Sequence, residues 1–156
     1  MFRNSNKLYA AYGSNLNLEQ MKFRCPYALP LGTAELQDHR LMFRGGNGSA
    51  VATVEPTKGE SVPVLLWEIT PRDEEALDRY EGWPHLYRKD VVNVLLNGKT
   101  VEAMVYIMNP VYSYGLPGER YLHSILEGYV TAEFDTTVLY NAVRVSDSEA
   151  RHDEKL

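Results

Sequence analysis

Short apolar runs dominate the first two thirds of the chain, and apolar residues at helical spacing follow them. Leu8-Tyr9-Ala10-Ala11-Tyr12 is a run of strand formers stopped by Gly13, which predicts a first strand buried on both faces. Beyond Gly13-Ser14-Asn15 the pattern changes. Asn17 with Gln20 three residues later resembles a capping box, and Leu18 and Met21 supply the apolar face of a short helix, which Pro26 and Pro30 then bring to a break. Residues 41–43 and 51–54 read as strands around Gly45-Gly46-Asn47-Gly48, expected to be a mobile loop. Residues 62–69 form another strand candidate, with Pro63 near its start where an edge position tolerates it.

The next signals are sharper. Thr70-Pro71-Arg72-Asp73 is a helix start, with Thr70 as N-cap, proline at the first helical position and acids in the first turn. Ala76, Leu77 and Tyr80 are the expected buried stripe, and Gly82 and Pro84 end the helix. Residues 87–96 and 99–108 are β-rich runs joined by Asn97-Gly98, the favoured pair for a type I′ hairpin turn. Tyr121, Leu122, Ile125, Leu126 and Tyr129 recur with helical spacing, and residues 135–145 suit a last helix or strand. Residues 146–156 are polar and expected to fray as a flexible tail, so the domain is expected over residues 1–145. The sum is a single α+β domain, strands first, with helices inserted between them.

Composition narrows the function. A chain of 156 residues, 44% hydrophobic and 24% charged, suits one globular core and rules out wholesale disorder. A net charge of −5 argues against nucleic acid as a partner, because neutralising phosphates needs a basic face. Cys25 is the single cysteine, so no intrachain disulfide forms and a reducing cytoplasm is the expected location. The apolar stretch near the N-terminus is too short for a signal-peptide core, and no membrane partner is expected.

Three constellations could carry chemistry. Tyr12-Gly13-Ser14-Asn15-Leu16 lies where a strand yields to a helix, and free amides at such a turn attract anions or carbonyl oxygens; Gly-Ser-Asn is equally common in an ordinary turn. Glu81-Gly82-Trp83 places a carboxyl at the negative end of a helix beside an aromatic ring. Both influences raise its pKa towards neutrality, where it can take and return a proton; a solvated glutamate is the alternative. Third, tyrosines number 11 against 4 phenylalanines. Tyr87 and Tyr121, each beside charged residues, could offer hydroxyls to a polar ligand, although tyrosines more often serve cores, and their number also suits a homodimer contact. His39, His85, His123 and His152 lack metal-ligand spacing, and the acids at residues 73–75 and 147–154 read as solvated surface.

Together these residues resemble the γ-glutamylcyclotransferase-like (AIG2-like) family. Tyr12-Gly13-Ser14-Asn15-Leu16 is similar to its signature loop, and Leu77-Asp78-Arg79-Tyr80-Glu81-Gly82 followed by Tyr87 to the segment of its catalytic glutamate. Pro117-Gly118-Glu119-Arg120-Tyr121 resembles the start of its C-terminal helix, and the likeness runs from about residue 8 to residue 135. It implies a small mixed β-barrel with flanking helices and the loop at a pocket mouth. It also implies a reaction that needs no metal or organic cofactor: the α-amine of a γ-glutamyl amide attacks its own γ-carbonyl, releasing 5-oxoproline and a free amine. In that reading Glu81 is catalytic, Tyr12, Gly13, Ser14, Asn15 and Leu16 bind the substrate, and Tyr87 and Tyr121 bind the substrate or orient it or Glu81. The loop at residues 45–48 and residues 83–86 would shape the choice of leaving amine. A non-catalytic small-molecule binding module using the same pocket is the main alternative, and acyl transfer by Cys25 a weaker one.

Overall fold

The computed structural model describes residues 5–154. Five strands close into a barrel in the order β1-β3-β2-β4-β5. β1 (Lys7–Ala11) pairs antiparallel with the end of β3 (Val51–Ile69) and seals the barrel through a parallel contact with β5 (Lys99–Met108) at Tyr9 and Met104. Closure leaves no long unpaired sheet edge. It also explains the unbroken apolar run of β1, whose Tyr9, Ala10 and Ala11 are all buried.

β2 (Leu29–Arg44) and β3 make one long antiparallel hairpin rather than several short strands. Its register shifts at Leu31 and at Asp38, the latter with φ of 58°, and such irregularities bend a strand enough to follow a barrel wall. Pro30 therefore does not break the chain: it sits within β2 opposite Trp67. Pro63 pairs across to Glu35 but lies beyond the reach of β1, whose ladder on β3 spans Leu65 to Ile69, so its missing N–H costs no bond on that side. The loop at residues 45–48, expected to be mobile, is hydrogen bonded: Gly45 N–H donates to Ser113 O and Gly48 N–H to Leu116 O, both at 2.8 Å.

The hairpin of β4 (Tyr87–Leu96) with β5 turns at Asn97 and Gly98, both with positive φ, as the sequence requires. α1 (Leu18–Arg24) is capped by the Asn17 side chain, which accepts from Gln20 N–H at 3.2 Å; Met21 is buried, whereas Leu18 is 43% exposed and does not join the expected apolar face. α2 (Pro71–Glu81) begins with a reciprocal capping box between Thr70 and Asp73 and ends at Gly82 in the left-handed conformation. Asp73 is thus buried by its cap, and Glu74 pairs with Lys7 and Lys89 at 3.0 and 2.9 Å; of the acidic run expected to be solvated, only Glu75 is.

α3 (Glu119–Thr131) buries Ile125, Gly128 and Tyr129, and the last segment is a helix, α4 (Thr136–Glu154). α4 continues through residues read as a frayed tail, because Ser146 is wholly buried and its hydroxyl accepts a 2.9 Å bond from Phe43 N–H in β2. No helix among the described residues is long and apolar enough to cross a membrane.

Candidate active site

A cavity of about 210 Å³ opens where β1 runs out. One wall is the turn that follows the strand, Gly13, Ser14 and Asn15, and the opposite wall is the end of α2, Tyr80 and Glu81. The floor and sides are tyrosines from four elements: Tyr9 and the adjoining Tyr12, Tyr87 from β4, Tyr106 from β5 and Tyr121 from α3. Val51 and Ala52 of β3 and Leu86 complete the lining. The barrel thus gathers residues spread over more than a hundred positions.

The turn is held by its own backbone: Leu16 N–H donates to Gly13 O and Asn17 N–H to Ser14 O, both at 3.0 Å. The amides of Ser14 and Asn15 have no such internal partner among the described residues and are the ones left for a ligand. Leu16, expected among the binding residues, does not line the cavity. It is buried against α3, where Gly128 lacks a side chain and lets the helix approach the Leu16 backbone.

The tyrosine hydroxyls are ordered by backbone groups. Tyr12 donates to Tyr106 O at 2.6 Å and Tyr87 to Ala52 O at 2.5 Å. Tyr121 instead accepts from Ala52 N–H at 2.9 Å, so its own proton is free to be donated into the cavity. Neither Tyr87 nor Tyr121 hydrogen bonds to Glu81; the side chain that does is Asn15. Asn15 Nδ2 donates to Tyr9 Oη at 2.8 Å and, over a longer 3.4 Å, to Glu81 Oε1.

Burial in this cavity lifts the Glu81 carboxyl from its ordinary 4.5 to about 7, against the opposing pull of Arg24. The expected partner in that shift, Trp83, contributes differently. Its ring is 43% exposed, stands outside the cavity and carries the Lys89 ammonium at 4.1 Å. Lys89 also reaches Asp78 (3.1 Å), and Tyr106 donates to the same carboxylate at 2.6 Å, which fixes α2 and therefore Glu81 against β4 and β5.

Tyr9, Tyr80, Tyr106, Arg24 and Asn15's role as a hub are not legible as site features in the sequence. Tyr9 and Tyr106 sit in strands where core packing accounts for them, and Tyr80, expected in a buried stripe, is 42% exposed and offers its hydroxyl to Ser14 Oγ at 2.8 Å. Of the segments expected to shape the leaving-group side, Leu86 lines the cavity while residues 45–48 do not. Cys25 is buried, its thiol pushed up to about 12 by burial and by the Asp73 charge, against the opposing pull of Arg24, which removes the thiolate that acyl transfer would need. No cluster of three or more metal-ligating side chains occurs among the described residues.

The closed mixed barrel thus sets an amide-rich turn opposite a buried carboxyl across one cavity. The model of the family described as gamma-glutamyl cyclotransferase, AIG2-like matches residues 9–129, and the chain belongs to that family. It is 31% identical over 130 residues to human gamma-glutamylcyclotransferase, covering 78% of this chain and 69% of the human one. To the bovine gamma-glutamylcyclotransferase it is 34% identical over 82 residues, covering 48% of this chain and 44% of the bovine one. A solved structure of a gamma-glutamyl cyclotransferase superposes with a TM-score of 0.79 at 26% identity, covering 88% of this chain and 86% of that one.

Proposed function

We propose that this chain cleaves γ-glutamyl amides by cyclisation, with Glu81 as the proton shuttle. The observation that carries the reading is Glu81: a carboxyl with a pKa of about 7 in a tyrosine-lined cavity that it shares with the Ser14–Asn15 turn, where the Asn15 side chain donates to it. A carboxyl tuned this close to neutrality is suited to taking a proton and giving it back.

Glu81 removes a proton from the substrate α-ammonium, and the freed nitrogen attacks the γ-carbonyl carbon of the same molecule. A tetrahedral oxyanion forms, for which the amides of the turn and the Tyr121 hydroxyl are suitable donors. The carbon–nitrogen bond to the departing amine breaks as Glu81 returns the proton to it, and the second proton shed by the attacking nitrogen also ends on that amine, leaving 5-oxoproline and an ammonium with no change of oxidation state. Ring closure is intramolecular, so holding the reacting conformer supplies much of the acceleration. The chemistry fits the lyase and acyltransferase descriptions, and it asks for no metal or organic cofactor.

The test is 5-oxoproline release from a panel of γ-glutamyl amines, followed by mass spectrometry. The wild-type chain is expected to turn over at least one, with kcat/KM rising with pH through a midpoint near 7 as Glu81 ionises. Glu81→Gln is expected to lose about 10²–10⁴-fold in kcat while still binding 5-oxoproline. An unchanged rate in that variant would reject the mechanism; binding by the wild-type chain without turnover on any of the panel would favour the binding-module reading.

A further inference from the structure

Arg24, the last residue of α1, does not touch the cavity, yet two of its walls meet on it. One guanidinium nitrogen donates to Asn15 Oδ1, another to Gln20 Oε1 at 3.3 Å, and the flat face covers the Tyr80 ring with 3.4 Å to its centre. We propose that Arg24 is a positioning residue for Glu81, acting through the Asn15 amide and the Tyr80 ring. The inference rests on the cyclotransferase reading of the site.

The reason lies in the two ends of an amide. Asn15 can present either its carbonyl oxygen or its NH2 to Glu81, and the wrong choice sets an oxygen against a carboxylate. Arg24 is a pure donor, so it claims the Oδ1 end and leaves Nδ2 aimed at Tyr9 Oη and Glu81 Oε1. By stacking on Tyr80 it also holds the ring whose hydroxyl meets Ser14 Oγ at 2.8 Å, at the turn that supplies the free amides.

Charge adds to geometry. The titratable groups facing Glu81 are Tyr9 and Tyr12 from β1 and its end, Tyr87 from β4 and Tyr121 from α3, whose hydroxyls burial pushes above the ordinary phenol range and so keeps neutral near pH 7. Arg24 is the one ionised residue among the causes acting on Glu81, and it pulls the carboxyl pKa down against burial. It thereby sustains the ionised fraction that can accept a proton at neutral pH. A lysine keeps the charge but cannot stack flat and fork to two acceptors together.

Two variants and two measurements test this. The Glu81 carboxyl is titrated by NMR in the substrate-free chain, and kcat and KM are measured across pH with a γ-glutamyl amine that the wild type turns over. Arg24→Gln is expected to raise the Glu81 midpoint, move the acid limb of the rate profile in the same direction and lower kcat at pH 7 about tenfold, with KM changed less than threefold. Arg24→Lys is expected to keep the midpoint near that of the wild type while still losing kcat, because the amide is no longer held. Unchanged titration and unchanged kcat in Arg24→Gln would overturn the proposal. So would failure of both variants to fold, which would make Arg24 a structural residue. If the wild type turns over no γ-glutamyl amide, the reading of the reaction fails on its own, and the titration still decides whether Arg24 controls Glu81.

Discussion

Keeping Glu81 in the cavity has a cost that depends on pH. Its folded pKa of about 7 stands above the ordinary 4.5, so the folded chain binds more protons than the unfolded chain between those values. Stability contributed by the neutral carboxyl is complete below about 4.5 and is lost as pH rises through 7. Glu81→Gln, which keeps the shape without the charge, is therefore expected to be more stable than the wild type at pH 8 by on the order of 3 kcal/mol, and equal to it at pH 4. Urea midpoints at the two pH values check this; a variant less stable at pH 8 would mean that the carboxylate is stabilised there. At this scale much of the site can be read from the chain itself. Gly13, Ser14, Asn15 and Glu81 carry their chemistry in their types and neighbours. Arg24 does not, since nothing in Phe23-Arg24-Cys25 says that its guanidinium will fork to Asn15 and stack on Tyr80.

Among the elements, those with local punctuation are read most securely. Thr70-Pro71 with Asp73 sets the start of α2, Gly82 its end, and Asn97-Gly98 the β4–β5 turn, because each acts through bonds between near neighbours. The contact of α3 with the Ser14–Leu16 turn has no such signature. At Gly128 an added Cβ would lie 2.6 Å from Leu16 Cβ and 2.8 Å from its backbone carbon. Helix propensity alone would favour Gly128→Ala by about 1 kcal/mol. Overpacking against a backbone costs about 1–3 kcal/mol and is expected to win, so the variant should melt earlier and, by displacing the turn, raise KM. A stabilised variant would show that the turn yields readily to the helix.

Across the whole molecule, closure of the barrel is what brings residues 9, 12 to 15, 51, 52, 80, 81, 86, 87, 106 and 121 around one cavity. It also recruits the end of the chain. Removal of residues 146–156 would delete Ser146 and strand the buried Phe43 N–H that it satisfies, at about 1–3 kcal/mol for that group alone, plus the packing of the last turns of α4. A flexible tail would be dispensable; the truncated chain is expected instead to unfold at clearly lower urea concentration, and an unchanged midpoint would remove Ser146 from the list of structural contacts. Polar composition led the sequence reading astray here, because it does not reveal a single buried hydroxyl on an otherwise solvated helix. The α+β class, the order of strands and helices, the helix caps and the hairpin turn follow from short-range chemistry and hydrophobic periodicity, so the chain alone carries them. The shared cavity, the near-neutral Glu81, the waiting proton on Tyr121 and the Arg24–Asn15 hub depend on burial and on contacts between distant residues, quantities that come into being only when the barrel closes.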